Sequence, residues 1–263
     1  MRRLSASGAA LLVGLLGAVA MPATIPAAIA APEPPISLLD PPGRQLLSRS
    51  RFQADALPLL VWFDTQANLA YCGVASAVMA LNSLGVPAPP TASHGPYHFW
   101  TQDNLFRSAA AETTEAPQTL TPQRVARRGM TLAQLAGLLT LPGMSVQRWH
   151  GDQLTLPQLR GLLRQSLADP TDRLLVNYHR SAVGQQGGGH ISPLAAYDER
   201  GDRVLLLDVA RYRYPPVWVP IERLWQGMRM VDPDSGLSRG LVRLRWSAEG
   251  STPQPSARPR SGS

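Results

Sequence analysis

The 263-residue chain contains one cysteine and no lysine; all 25 of its basic residues are arginine. One cysteine excludes an internal disulfide, so stability must come from a hydrophobic core. Roughly 215 residues lie between the two tails, with 44% hydrophobic residues overall, enough for one compact domain to bury that core without staples. Aromatic residues are scarce, at 6%, and the arginines are scattered, with no dense basic run beside stacking side chains. That argues against nucleic acid as a partner. The formal net charge of +7 reads instead as solubility with a mild pull on anionic small molecules. Beyond the first thirty residues no apolar run approaches the length of a membrane-spanning helix, and no internal repeat is visible.

The first thirty residues have the layout of a secretory signal. Met1-Arg2-Arg3 is a short positive start, Leu4 to Ala20 an apolar stretch, and Ala28-Ile29-Ala30 a small-x-small cleavage site. The expected divisions are a signal peptide over 1–30, an irregular lead-in over 31–56, a catalytic domain over 57–246 and a disordered tail over 247–263. The lead-in carries Pro-Pro pairs at 34–35 and 41–42, and the tail is polar and rich in Pro, Ser and Gly.

Apolar positions Val74, Ala77, Val78, Leu81 and Leu84 predict a helix over 71–84, stopped by Gly85 and Pro87. Thr131-x-x-Gln134 and Thr155-x-x-Gln158 are capping-box starts of two further helices. From residue 173 the pattern changes to strands at 173–179, 190–197, 203–210 and 240–246, with a polar turn at 198–202 and a helix near 220–228. Helices followed by a mostly antiparallel sheet predict the α+β class.

Cys72 stands where an irregular stretch becomes the first strong helix. The positive end of that helix and its unpaired N–H groups favour thiolate over thiol. Position alone leaves two readings open, a nucleophile or a small buried hydrophobe. Gln66, six residues earlier, can supply a side-chain donor for an oxyanion alongside the N–H of Cys72. Of the five histidines, His190 follows three glycines and opens a strand whose hairpin partner carries Asp208. A turn centred on Arg200 puts His190 and Asp208 on one face as diagonal neighbours, Cβ atoms roughly 7 Å apart, close enough for an imidazole-carboxylate hydrogen bond.

The segments YCGVAS, GQQGGGHISPLAAYD and LLLDVARYRYPPVWVP, with LW and RG further on, resemble the phytochelatin synthase family from about Leu57 to Arg245. The resemblance implies a papain-like cysteine peptidase fold, in which an N-terminal helical part packs its nucleophile helix on a C-terminal antiparallel sheet. It implies Cys72 as nucleophile, His190 as base, Asp208 as its orienter and Gln66 at the oxyanion, with Arg180, Arg239 and Gly73 binding substrate. The implied reaction is cleavage of the Cys–Gly amide of glutathione through a γ-Glu-Cys thioester on Cys72. Hydrolysis then gives γ-Glu-Cys, and transpeptidation gives short phytochelatins.

Plant-type members carry a Cys-rich C-terminal region that this sequence lacks, so it resembles the short prokaryotic type, in which cleavage tends to dominate. No resident cofactor or protein-bound metal is expected; Cd²⁺ or Zn²⁺ would arrive as a glutathione thiolate complex. Glutathione is the expected partner, with no nucleic acid and no stable membrane insertion after signal cleavage. A homodimer is the expected assembly, and export to a periplasm the expected location. Two alternatives stand beside this: a papain-like peptidase acting on another peptide, and a non-catalytic protein binding glutathione or metal thiolates.

Overall fold

The apolar strands from residue 172 onward build the sheet that organises the molecule. The computed structural model describes residues 34–91, 94–108, 120–141 and 143–246. The expected signal and tail lie outside them. In chain order the elements are β1 (Ile36–Ser37), α1 (Pro41–Arg49), α2 (Ala56–Val61), α3 (Cys72–Ser83), α4 (Asn104–Ser108), α5 (Pro122–Arg128), α6 (Leu132–Leu138), β2 (Met144–His150), α7 (Leu156–Ser166), β3 (Asp172–His179), β4 (Gly189–Asp198), β5 (Arg203–Leu206), β6 (Val217–Pro220), α8 (Ile221–Arg229) and β7 (Gly240–Trp246). One sheet in the order β1-β6-β5-β4-β3-β7-β2 is antiparallel throughout. The α+β class is therefore as expected, although three strands were not foreseen: β1 and β2, from the first part of the chain, and β6 at Val217–Pro220. No helix among the described residues is long and apolar enough to cross a membrane.

The helix α3 runs through the core. Every residue from Cys72 to Leu81 is buried, so the helix is apolar all round, as a helix with neighbours on every side must be. Its terminators work as expected: Gly85 takes a left-handed φ of 69°, and its N–H is held by the Asn82 carbonyl. Both capping boxes form, at Thr131/Gln134 and Thr155/Gln158. One apolar cluster joins α3, α2 and α6 to one side of the sheet, and a second joins α7 and α8 to the other.

The segment 31–56, expected to be irregular, instead carries β1 and α1. Pro41 and Pro42 are the reason: at the first turn of a helix the missing N–H costs nothing and the fixed φ is already helical, so the pair starts a helix. Arg49 in its last turn donates to both carboxylate oxygens of Asp198, at 3.0 and 2.6 Å, tying the lead-in to β4.

The hairpin of β4 and β5 contains an irregularity that bears on the site. Near the turn Asp198 faces Arg203 and Ala196 faces Leu205, but further in Leu194 faces Leu206. Ala195 is therefore the extra residue of a β-bulge. Beyond it the shifted register continues, with Leu207 N–H donating to the Pro193 carbonyl at 3.1 Å. Had the outer register persisted, His190 and Asp208 would project from opposite faces of the sheet. The bulge puts them on the same face.

Candidate active site

Asp208 lies just past the end of β5, which stops at Leu206 instead of running to residue 210. Its carboxylate accepts the N–H of Ala210 at 2.9 Å, an Asx-type turn that draws the chain out of the ladder. The same carboxylate is fully buried and accepts from His190 Nε2 at 2.8 Å. It also takes both ends of the Arg180 guanidinium, at 2.6 and 3.0 Å, and Gln185 Nε2 at 3.4 Å. Burial works against its ionisation, yet the hydrogen bonds and charges of His190 and Arg180 hold it well below the usual carboxylate range. His190 is thus fixed through Nε2, and it shares the cavity wall with Cys72, close enough for each to shift the other's ionisation.

Cys72 is the first residue of α3, buried to 8% exposure, and lines a cavity of about 540 Å³ together with His190. Burial pushes its thiol up; the charge of His190 and the backbone N–H groups of Ile191 and Gly73 outweigh that and lower it. Burial pushes His190 down, and Cys72 and Asp208 together raise it. Both shifts favour a thiolate-imidazolium pair. The sign follows directly: as pH falls, thiolate persists below the ordinary thiol range of about 8–9 and is lost only through the lowered pKa. Alkylation of Cys72 by iodoacetamide is accordingly expected to stay fast at pH 7, and His190→Ala to move the inflection upward. A wild-type inflection at or above that of free cysteine would contradict the pair.

A Cβ on Gly73 would lie 2.4 Å from Met130 Cε and 3.0 Å from Ile191 Cδ1, so the end of the Met130 side chain would have to move to admit one. The Gly73 N–H serves the sulfur. The backbone N–H of Gln66 donates to the Val209 carbonyl at 3.0 Å, which pins the segment before Cys72 to the chain just after Asp208. Gln66 Nε2 donates to the Asn68 carbonyl at 2.7 Å and its Oε1 is buried without a partner; neither Gln66 nor Gly73 is among the described residues lining the cavity.

The two arginines separate. Arg239 is buried, lines the cavity, and donates through Nη1 to Asn177 Oδ1 at 3.0 Å. Arg180, expected to bind substrate, is not among the described residues lining that cavity. Its guanidinium is occupied by Asp208, by Gln185 Oε1 at 2.6 Å and by the face of Tyr214 at 5.0 Å. Asn177 and Asp232, both buried and both on the cavity wall, were not picked out from the sequence. Asn177 carries a signal that could have found it, a polar residue inside the apolar strand run Leu174-Leu175-Val176. Asp232 carries none, because it sits in a polar turn.

A cysteine at a helix start, served by a histidine that a buried aspartate orients, defines a thiol-nucleophile site for acyl transfer on a papain-like α+β scaffold. A family model described as phytochelatin synthase matches residues 28–241. Similar proteins include glutathione gamma-glutamylcysteinyltransferase 3 of Lotus japonicus, 32% identical over 80% of this chain and 42% of that protein. Glutathione gamma-glutamylcysteinyltransferase 1 of Triticum aestivum is 35% identical over 72% and 36%. The glutathione gamma-glutamylcysteinyltransferase of Schizosaccharomyces pombe is 27% identical over 68% and 41%. The chain belongs to the phytochelatin synthase family, and it spans about two fifths of the length of these curated relatives.

Proposed function

We propose that the protein cleaves the Cys–Gly amide of glutathione, as a glutathione γ-glutamylcysteinyltransferase-type enzyme. One observation carries the choice of substrate: the cavity that holds Cys72 and His190 also has a buried cation, Arg239, and a buried anion, Asp232, on its wall. A γ-linked glutamyl residue keeps both its α-carboxylate and its α-ammonium free, and these two charges match that wall. An α-linked glutamyl at a peptide N-terminus keeps the ammonium but has its free carboxylate at the end of the side chain, away from it, and a residue inside a peptide has neither an α-ammonium nor an α-carboxylate.

In this reading the thiolate of Cys72 attacks the Cys–Gly carbonyl carbon, and the oxyanion is met by the N–H of Cys72 and the amide of Gln66. Imidazolium His190 gives its proton to the departing glycine nitrogen as the C–N bond breaks, leaving the γ-Glu-Cys thioester. His190 then takes a proton from water, giving γ-Glu-Cys, or from the amine of a second glutathione, giving a longer phytochelatin, as the C–S bond breaks. Asp208 stabilises the imidazolium, and Arg180 holds Asp208 in place. No resident metal is invoked; Cd²⁺ or Zn²⁺ would enter as the thiolate complex of the substrate. The proposal includes export to a periplasm through the 1–30 leader and assembly as a homodimer.

The test is to incubate the protein with glutathione, with and without Cd²⁺, and with α-linked Glu-Cys-Gly, following glycine and γ-Glu-Cys by mass. Glycine release from glutathione alone of the two peptides is expected. Release from the α-linked peptide at an equal rate would favour the general peptidase, and no release from either would sink the proposal.

A further inference from the structure

Gln185 is buried and is not among the described residues lining the cavity of Cys72 and His190. The turn over 180–183 brings it back onto the residue that opens that turn. Gly184 takes a left-handed φ of 77°, and the Gln185 N–H donates to the Arg180 carbonyl at 3.1 Å. The side chain then meets three groups. Oε1 accepts from Arg180 Nη1 at 2.6 Å and, less closely, from the Tyr178 hydroxyl at 3.4 Å; Nε2 donates to Asp208 Oδ2 at 3.4 Å. A guanidinium has donors only and an ionised carboxylate acceptors only, so a single orientation of the amide serves both.

Two of those three groups in turn orient His190. Asp208 Oδ1 accepts from its Nε2, and the Tyr178 ring packs edge-to-face with the imidazole, centroids 5.9 Å apart and planes at 88°. The other carboxylate oxygen of Asp208 is the one that Arg180 Nη1 and Gln185 share. The geometry points to Gln185 as a positioning residue: it ties Arg180, Asp208 and the Tyr178 hydroxyl together, so that carboxylate and ring hold the imidazole of His190 for Cys72. Glutamine suits the place because it accepts and donates without charge, which leaves an ion pair of no net charge behind His190. A glutamate would set a second carboxylate against Asp208. A methionine of similar length would offer Arg180 and Tyr178 only a weak acceptor and Asp208 no donor. The inference rests on the acyl-transfer reading of the site.

The titratable and charged groups around His190 are Cys72 at the start of α3, Tyr178 on β3, Arg180 after it and Asp208 after β5, with Arg127, Arg128, Asp232, Asp234 and Arg239 on the cavity wall. All of them stay in place in the test, which uses the full chain. In Gln185→Met, kcat for glycine release from glutathione is expected to fall about 10- to 100-fold with KM within a factor of ~2, the size of a hydrogen bond lost beside charged groups. The inflection of Cys72 alkylation should rise as well, because a loosely held imidazolium supports the thiolate less. A side chain that only fills space would lower the melting temperature and leave that inflection where it is. In Gln185→Glu the added negative charge keeps His190 protonated to higher pH, so the alkaline limb of kcat should move upward. That variant carries the test if Gln185→Met fails to fold. An inflection within roughly 0.2 unit of wild type in the methionine variant, a loss confined to KM, or an unmoved alkaline limb in the glutamate variant overturns the assignment and leaves the proposed reaction intact. If the wild type releases no glycine, the reaction falls, and the alkylation profile still decides the role of Gln185.

Discussion

Cys72→Ala is expected to lower glycine release from glutathione by about 10⁴-fold or more, the loss seen when a covalent nucleophile is removed. The fold should survive. Alanine keeps the helix start, fits the buried position and takes away only one sulfur, so the melting temperature should move by no more than about 4 °C, the shift of a ~1 kcal/mol change. The second readout is the acyl-enzyme: acid-quenched wild type should carry one γ-Glu-Cys on Cys72, and the alanine variant none. An alanine variant that keeps more than about one hundredth of wild-type turnover would remove Cys72 from the chemistry, and the cysteine would revert to a packing residue.

Asp208→Asn is expected to produce the next largest effect, and its pattern differs. Activity should fall about 10³- to 10⁴-fold, because the imidazolium loses its counter-charge while Cys72 remains. Stability should fall too, by about 3–5 kcal/mol, because Arg180 is left as a buried cation without its partner. The two variants should therefore rank in opposite orders: Cys72→Ala is the poorer enzyme, and Asp208→Asn the less stable protein. Chemical denaturation read beside glycine release decides this. An asparagine variant that unfolds with the wild type would show that the Arg180–Asp208 pair contributes nothing net to the fold.

Much of the site could be read from the sequence because its parts are tied to local signals. Cys72 is marked by the start of a periodic helix, and His190 and Asp208 by a hairpin whose parity can be counted. The count succeeded for a reason the sequence does not display. The outer turn pairs Asp198 with Arg203, half a residue away from a centre at Arg200, and only the bulge at Ala195 restores the counted register at the inner end. Arg180 resisted reading because an arginine's partner is chosen in three dimensions; its neighbour in the fold is Asp208, 28 residues away. The strand β2 escaped because Met144–His150 is a polar edge strand without a clear apolar face, and its seven pairs with β7 are made at long range. The helix α1 escaped because paired prolines mark a helix start as readily as a loop.

The bulge also sets what this hairpin can tolerate. The 199–202 turn lies outside the ladder, so a residue added there lengthens the loop and leaves Asp198 opposite Arg203. Within the paired segments the case differs: one residue added or removed between His190 and Asp198, or between Arg203 and Asp208, shifts the inner pairing by one and sends one of the two side chains to the far side of the sheet. Length variation inside the strands is therefore in effect quantised in pairs, and a relative whose strand differs by one residue should be found to have gained or lost a bulge.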